Sequence, residues 1–139
     1  MPVTAPRQLQ ILEGLEAALK SALGDIEFAR NDFTAADPAE VARVNMFDGD
    51  PGPPVEELLG GPKTYRHEIP LEIVPSRIGG VAEIHAIHGR VKAMVKADRF
   101  LTGLVDFLDL SEVASVPVPI SEAQALETGL ASLIAEYTL

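Results

Sequence analysis

The sequence has no cysteine, no apolar run long enough for a bilayer and few positive charges, and each shortage removes a class of protein. Without cysteine there is neither a disulfide framework nor a thiolate to hold a metal or attack a substrate. No apolar stretch approaches the roughly 20 residues that cross a membrane, and the first residues lack the basic-then-apolar order of a secretory signal. A soluble, intracellular chain with no membrane contact is expected. Eleven Lys and Arg stand against 21 Asp and Glu, a net charge of -10. A duplex-binding protein neutralises about six to ten phosphates with basic side chains, so sequence-specific nucleic-acid binding is not expected. Also missing are the Rossmann glycine fingerprint, the Gly-Lys-Ser/Thr ending of a phosphate loop and the nucleophile-elbow pattern.

What remains is enough for one domain over 1–139, because 47% of its 139 residues are apolar and supply a single core. "TAPRQLQILEGLEAALKSALG" predicts a first helix, with Thr4 as N-cap, Pro6 in the first turn and Gly24 closing the end. Leu9, Leu12, Leu15, Leu19 and Leu23 recur at three and four residues along it and form its buried stripe. "DIEFARND" and "VARVNMF" are strand candidates. "TYRHEIPLEIVPS" is the clearest strand, with Tyr65, His67, Ile69, Leu71 and Ile73 on one face. Pro70 removes a donor from it, which predicts an edge position or a bulge. "GGVAEIHAIHGRVKAMVKAD" predicts a second helix with Val81, Ile84, His88, Val91 and Val95 inward. "TGLVDFLDLSE" reads as a fourth strand, "SVPVPIS" as an extended linker, and "ALETGLASLIAEYTL" as a buried final strand.

"FDGDPGPPVEELLGGP", residues 47 to 62, carries the densest turn punctuation in the chain. Its Asp-Gly, Pro-Gly and Gly-Gly pairs predict a long hairpin connection. A calcium loop needs oxygen ligands at alternate positions and a late Glu, a pattern that Pro51, Pro53 and Pro54 interrupt. Long connections are often kept for contacts, so assembly is the function expected of this one. Elsewhere, His85 and His88 are spaced to approach one metal but have no evident third ligand, so one packed and one half-exposed histidine is expected. Ser111 and Glu112 lack the motif that would make a nucleophile and its partner. No catalytic residue, metal ligand or cofactor is therefore assigned, and the chain reads as a structural protein, not an enzyme. Arg77, Arg90, Lys92, Lys96 and Arg99, five of the eleven bases, fall within 23 residues, and could give an acidic body one basic face.

In order, "RND", "VNMFDGDPGPP", "LLGGPKTYRHEIPLEI", "KADRFLTGLVDFLDL" and "LIAEYTL" resemble the small tail proteins of phages and prophages of the tail-terminator type. Some chains of this look carry an acyl-CoA transferase label, although nothing here reads as a coenzyme A site. The resemblance implies an α+β fold: two helices on one face of a mixed, mostly antiparallel sheet of about five strands, with a long hairpin. It also implies a ring of identical subunits, typically a hexamer, that caps the tail tube and joins it to the head, in the host cytoplasm during assembly and then in the virion tail. Its partners would be sister copies, tail-tube and head-completion proteins; another head-tail connector or minor tail protein is the alternative, with a small acyl-transfer enzyme behind it. By analogy Asp48, Asp50, Glu56 and Glu57 become assembly contacts, joined by Leu58 and Leu59 at the tip and by Arg90, Lys92 and Lys96 on the basic helix. The proline-stiffened, leucine-tipped hairpin departs from the family pattern, and admits a different tail component as its partner.

Overall fold

The structure, a computed structural model, describes residues 6–32, 40–121 and 124–139. Helix α1 (Arg7–Ala22) buries Ile11, Leu12, Leu15 and Leu19, whose spacing puts them on one side. Leu9 is 38% exposed, and Ile11 takes the inward place expected of it. Pro6 is the N-cap, and Leu23 rather than Gly24 closes the other end. The expected cap Thr4 lies outside the described residues.

Strands β1 (Glu27–Arg30) and β2 (Arg43–Met46) pair in parallel. After β2 comes the long connection, which contains a two-residue strand β3 (Glu56–Glu57) before the chain returns as β4 (Lys63–Val74). Helix α2 (Gly80–Ala97) follows, then a single 3-10 turn at Leu101–Gly103 and strands β5 (Phe107–Leu110), β6 (Ala114–Ser121) and β7 (Gln124–Thr138). The main sheet order is β1-β2-β4-β7-β5, with β3 added to β4 and β6 added to β7. The result is the α+β layer expected, built among the described residues from seven strands, five of them on the main path.

β4 and β7 are the two long central strands, paired from Thr64↔Thr138 to Ile73↔Gly129. Both read as expected from alternation: His67, Ile69, Leu71 and Ile73 of β4 and Leu133, Ala135 and Tyr137 of β7 face inward and are buried. α2 covers them with Ile84, Ile87, Val91 and Val95, and Val44 and Met46 extend the same core onto β2. Val81, assigned to the inward stripe, is 42% exposed at the start of the helix. Gly129 permits the closest approach, since a Cβ there would strike the Ile84 side chain.

Two expectations need correcting. β4 is central, not an edge, despite Pro70. The Pro70 carbonyl accepts from Phe47 N–H at 2.9 Å, so its nitrogen points to the same side, where β2 has ended and the chain is turning away. Pro70 cannot return that bond, so the loss to this central strand is one ladder bond at the last pair. "SVPVPIS" is not a linker but strand β6, an outer strand paired with β7. Thr128 Oγ1 donates to the Val116 carbonyl at 3.2 Å, so Val116 faces β7. Pro117 and Pro119 therefore turn their nitrogens outward, where an edge strand can dispense with donors.

Candidate assembly surfaces

The root of the long connection is fixed by its own side chains. Asp48 accepts two bonds from Arg30, Nε to Oδ1 at 2.7 Å and Nη2 to Oδ2 at 2.9 Å. Arg30 also reaches Glu16 of α1 at 3.4 Å. The paired guanidinium holds the Asp48 carboxyl below the usual carboxylate range, and the carboxylate in turn raises Arg30. Asn31 Oδ1 accepts the Asp48 N–H at 2.9 Å. Gly49 has φ +66°, and a Cβ on it would collide with the Glu68 carbonyl. Glycine is thus required where the connection crosses β4. Asp50 Oδ1 takes the Gly52 N–H at 2.8 Å, closing a tight polar turn.

Behind this root runs a buried polar relay. His67 is 2% exposed, and its Nε2 lies 2.6 Å from the Asp48 carbonyl, an acceptor only, so that nitrogen carries the proton. Its Nδ1 then accepts from the Tyr137 hydroxyl at 3.2 Å. Gln8 of α1 also hydrogen-bonds that phenol, whose pKa burial pushes up. Tyr137 stacks on Tyr65 with ring centroids 5.7 Å apart. Through these contacts α1, β7 and β4 all grip the base of the connection.

Beyond the root the chain rises into a small hairpin. Val55 N–H donates to Thr64 O at 2.8 Å, and Glu56 and Glu57 sit opposite Thr64 and Lys63. Gly61 N–H closes back on the Leu58 carbonyl at 2.8 Å, and Gly60 takes φ +71°. Lys63 exchanges both backbone bonds with Leu139, so the end of β7 props the returning arm. Three large apolar side chains are presented to solvent here: Val55 is 64% exposed, Leu58 61% and Leu59 105%.

The nine residues proposed for assembly therefore fall into three places. Asp48 and Asp50 lie at the root, where Asp48 is engaged within the chain. Glu56, Glu57, Leu58 and Leu59 form the tip, with Glu57 also paired to Lys63 at 3.4 Å. Arg90, Lys92 and Lys96 are exposed on α2, but Arg90 is tied to Asp25 at 2.6 Å and to the Ala22 carbonyl at 2.8 Å. That bond lowers the Asp25 pKa and raises that of Arg90.

Sequence reasoning missed Arg30 and the His67–Tyr137 pair as the groups that fix the hairpin. The "RND" segment offered the only signal, a cation at the end of a strand candidate. His88 is buried and its Nε2 donates to the Ser111 carbonyl at 2.8 Å, while His85 is exposed, so the two imidazoles point apart. The Ser111 hydroxyl is used by the strand edge, accepting from Ser132 N–H at 2.8 Å. Among the described residues no group of three or more His, Cys, Asp or Glu converges as metal ligands. No helix of the described residues is long and apolar enough to cross a membrane. Compared with known proteins, the chain matches no family model and no curated protein.

Proposed function

We propose that this chain is a structural subunit that assembles with copies of itself into a ring, and that the ring terminates a phage or prophage tail, capping the tube and joining it to the head. The observation that carries the reading is the hairpin tip. Leu58 and Leu59, with Val55 beside them, stand in water on an arm whose base is locked by Arg30, Asp48, His67 and Gly49. Adjacent exposed leucines favour aggregation unless a partner covers them. Fixing them on a braced arm lowers the entropy lost when that partner binds.

The element order and the quoted motifs supply the rest of the proposal: a ring, six copies, with tail-tube and head-completion proteins above and below. A ring closes by head-to-tail contacts, so it needs two different mating surfaces on each copy. A tip at one end of the sheet and a lysine-bearing helix on its covered face satisfy that requirement. The acidic body, at net charge -10, would let DNA pass a lumen without adhering.

Electron microscopy of tail tubes prepared with and without the protein tests the proposal. A ring of density confined to the head-proximal end and dependent on the protein is expected. Tube ends that stay bare at saturating protein would contradict it.

A further inference from the structure

At the end of the molecule away from the hairpin, α2 and the sheet enclose a cavity of about 380 Å3. The chain enters β1 at Ile26 and β2 at Ala42 here, and leaves β4 at Ser76. Ile26, Ala42 and Ile87 give the cavity an apolar lining, with Val41, 45% exposed, at its rim. Its volume falls in the range of small-ligand sites, about 300–1,000 Å3.

The charges around it do not balance. Asp25 is neutralised by Arg90, which also bonds the Ala22 carbonyl, so that pair is spent within the chain. Glu40 and Glu83 line the same cavity, and among the described residues neither is paired with a Lys, Arg or His. Glu83 is nonetheless held in place. Its Oε1 accepts the Ser76 N–H, and its side chain folds over Gly79, where a Cβ would strike it. Ser76 adds a third polar group. The residue is 8% exposed, its N–H is taken by Glu83 and its carbonyl by the Gly79 N–H at 3.1 Å. Its hydroxyl is left for the cavity that it lines, with no partner among the described residues. Buried polar groups are normally hydrogen-bonded, and this one is open to a ligand.

Two uncompensated carboxylates and a hydroxyl therefore stand over an apolar floor. An anion would be repelled by them. A bare metal ion is a poor match, because among the described residues no three such groups converge as its ligands. An aliphatic stem that ends in a positive charge uses both halves of the lining. We infer that this cavity binds an organic cation, an ammonium or guanidinium on an alkyl stem. The stem lies against Ile26, Ala42 and Ile87, and the charge meets Glu83, Glu40 and the Ser76 hydroxyl. The inference is independent of the ring reading, and either can fail alone.

The probe is n-butylammonium, with n-butanol and butyrate as the neutral and negative versions of the same stem. Each is titrated into isotope-labelled protein at constant ionic strength and followed by amide NMR. Saturable shifts at Ser76, Glu83 and Ile87 are expected from n-butylammonium alone. Glu40→Gln combined with Glu83→Gln retains an acceptor for the Ser76 N–H, and should raise the Kd at least about tenfold. Ala86→Leu fills the cavity from an exposed helix position without touching a charge, and should abolish the shifts. Both variants are first shown to be folded by circular dichroism. No saturable shifts with n-butylammonium, equal shifts with n-butanol, or binding that both variants leave unchanged overturns the inference. Sedimentation of the wild-type chain at saturating n-butylammonium separates the two sources of such a cation. Association that is lost assigns the cavity to a Lys or Arg side chain of a second copy, and an unchanged state of association assigns it to a free amine.

Discussion

Replacing Asp48 with Asn separates the brace at the hairpin root from the rest of the fold. The amide preserves size and one acceptor, but removes the charge that meets Arg30 through two bonds of 2.7 and 2.9 Å. Hydrogen bonds to charged groups contribute about 1.5–3 kcal/mol. The side chains here are 23% and 32% exposed, so solvent screening takes part of that. A loss of about 1–2 kcal/mol at pH 7 is expected, read as the difference in urea unfolding free energy. The pH dependence identifies the cause. Asp48 titrates below its ordinary value of 3.8 in the folded chain, because Arg30 bonds the carboxylate. A group with a lowered folded pKa stabilises above its unfolded pKa and loses that contribution as pH falls through the folded one. The gap between wild type and Asp48→Asn should thus be full above the ordinary value of 3.8 and close as pH falls through the lowered folded value. A gap under about 0.3 kcal/mol at pH 7, or one equally large at both ends of the titration, would refute the brace.

Four further changes probe other parts of the account. Tyr137→Phe keeps the stack on Tyr65 but leaves His67 Nδ1 buried without its donor, and should cost about 1–3 kcal/mol in urea unfolding. Gly49→Ala and Gly52→Ala impose the same positive φ on alanine, but only the first meets a carbonyl, so Gly49→Ala should be the more destabilising by at least about 1 kcal/mol in thermal melts. Leu133→Ala in the centre of the core should cost about 2–5 kcal/mol, measured the same way. Leu58→Ser with Leu59→Ser should change unfolding free energy by less than about 0.5 kcal/mol while abolishing association in sedimentation runs.

The fold was legible wherever one face of an element is buried and the other wet. Alternation in 65–73 and the three- and four-residue steps of 84–95 report burial directly, and both elements stand where the patterns put them. Pro70 misled because a missing donor costs a central strand no more than one ladder bond; here the nitrogen faces Phe47, one residue past the end of β2. "SVPVPIS" misled for the related reason that prolines at alternate positions forbid a helix and a central strand, but suit an outer one. The hairpin itself was readable from its glycines and prolines. Its brace was not, since Arg30, Asp48, His67 and Tyr137 are spread over more than 100 positions and only tertiary pairing joins them.

End-on electron-microscope averages of the wild-type protein at tail-tube ends test the central claim most directly. Closed rings are predicted in which one rotation carries each copy onto the next. Pairs joined by a two-fold axis through identical surfaces, or tubes left uncapped, would contradict it.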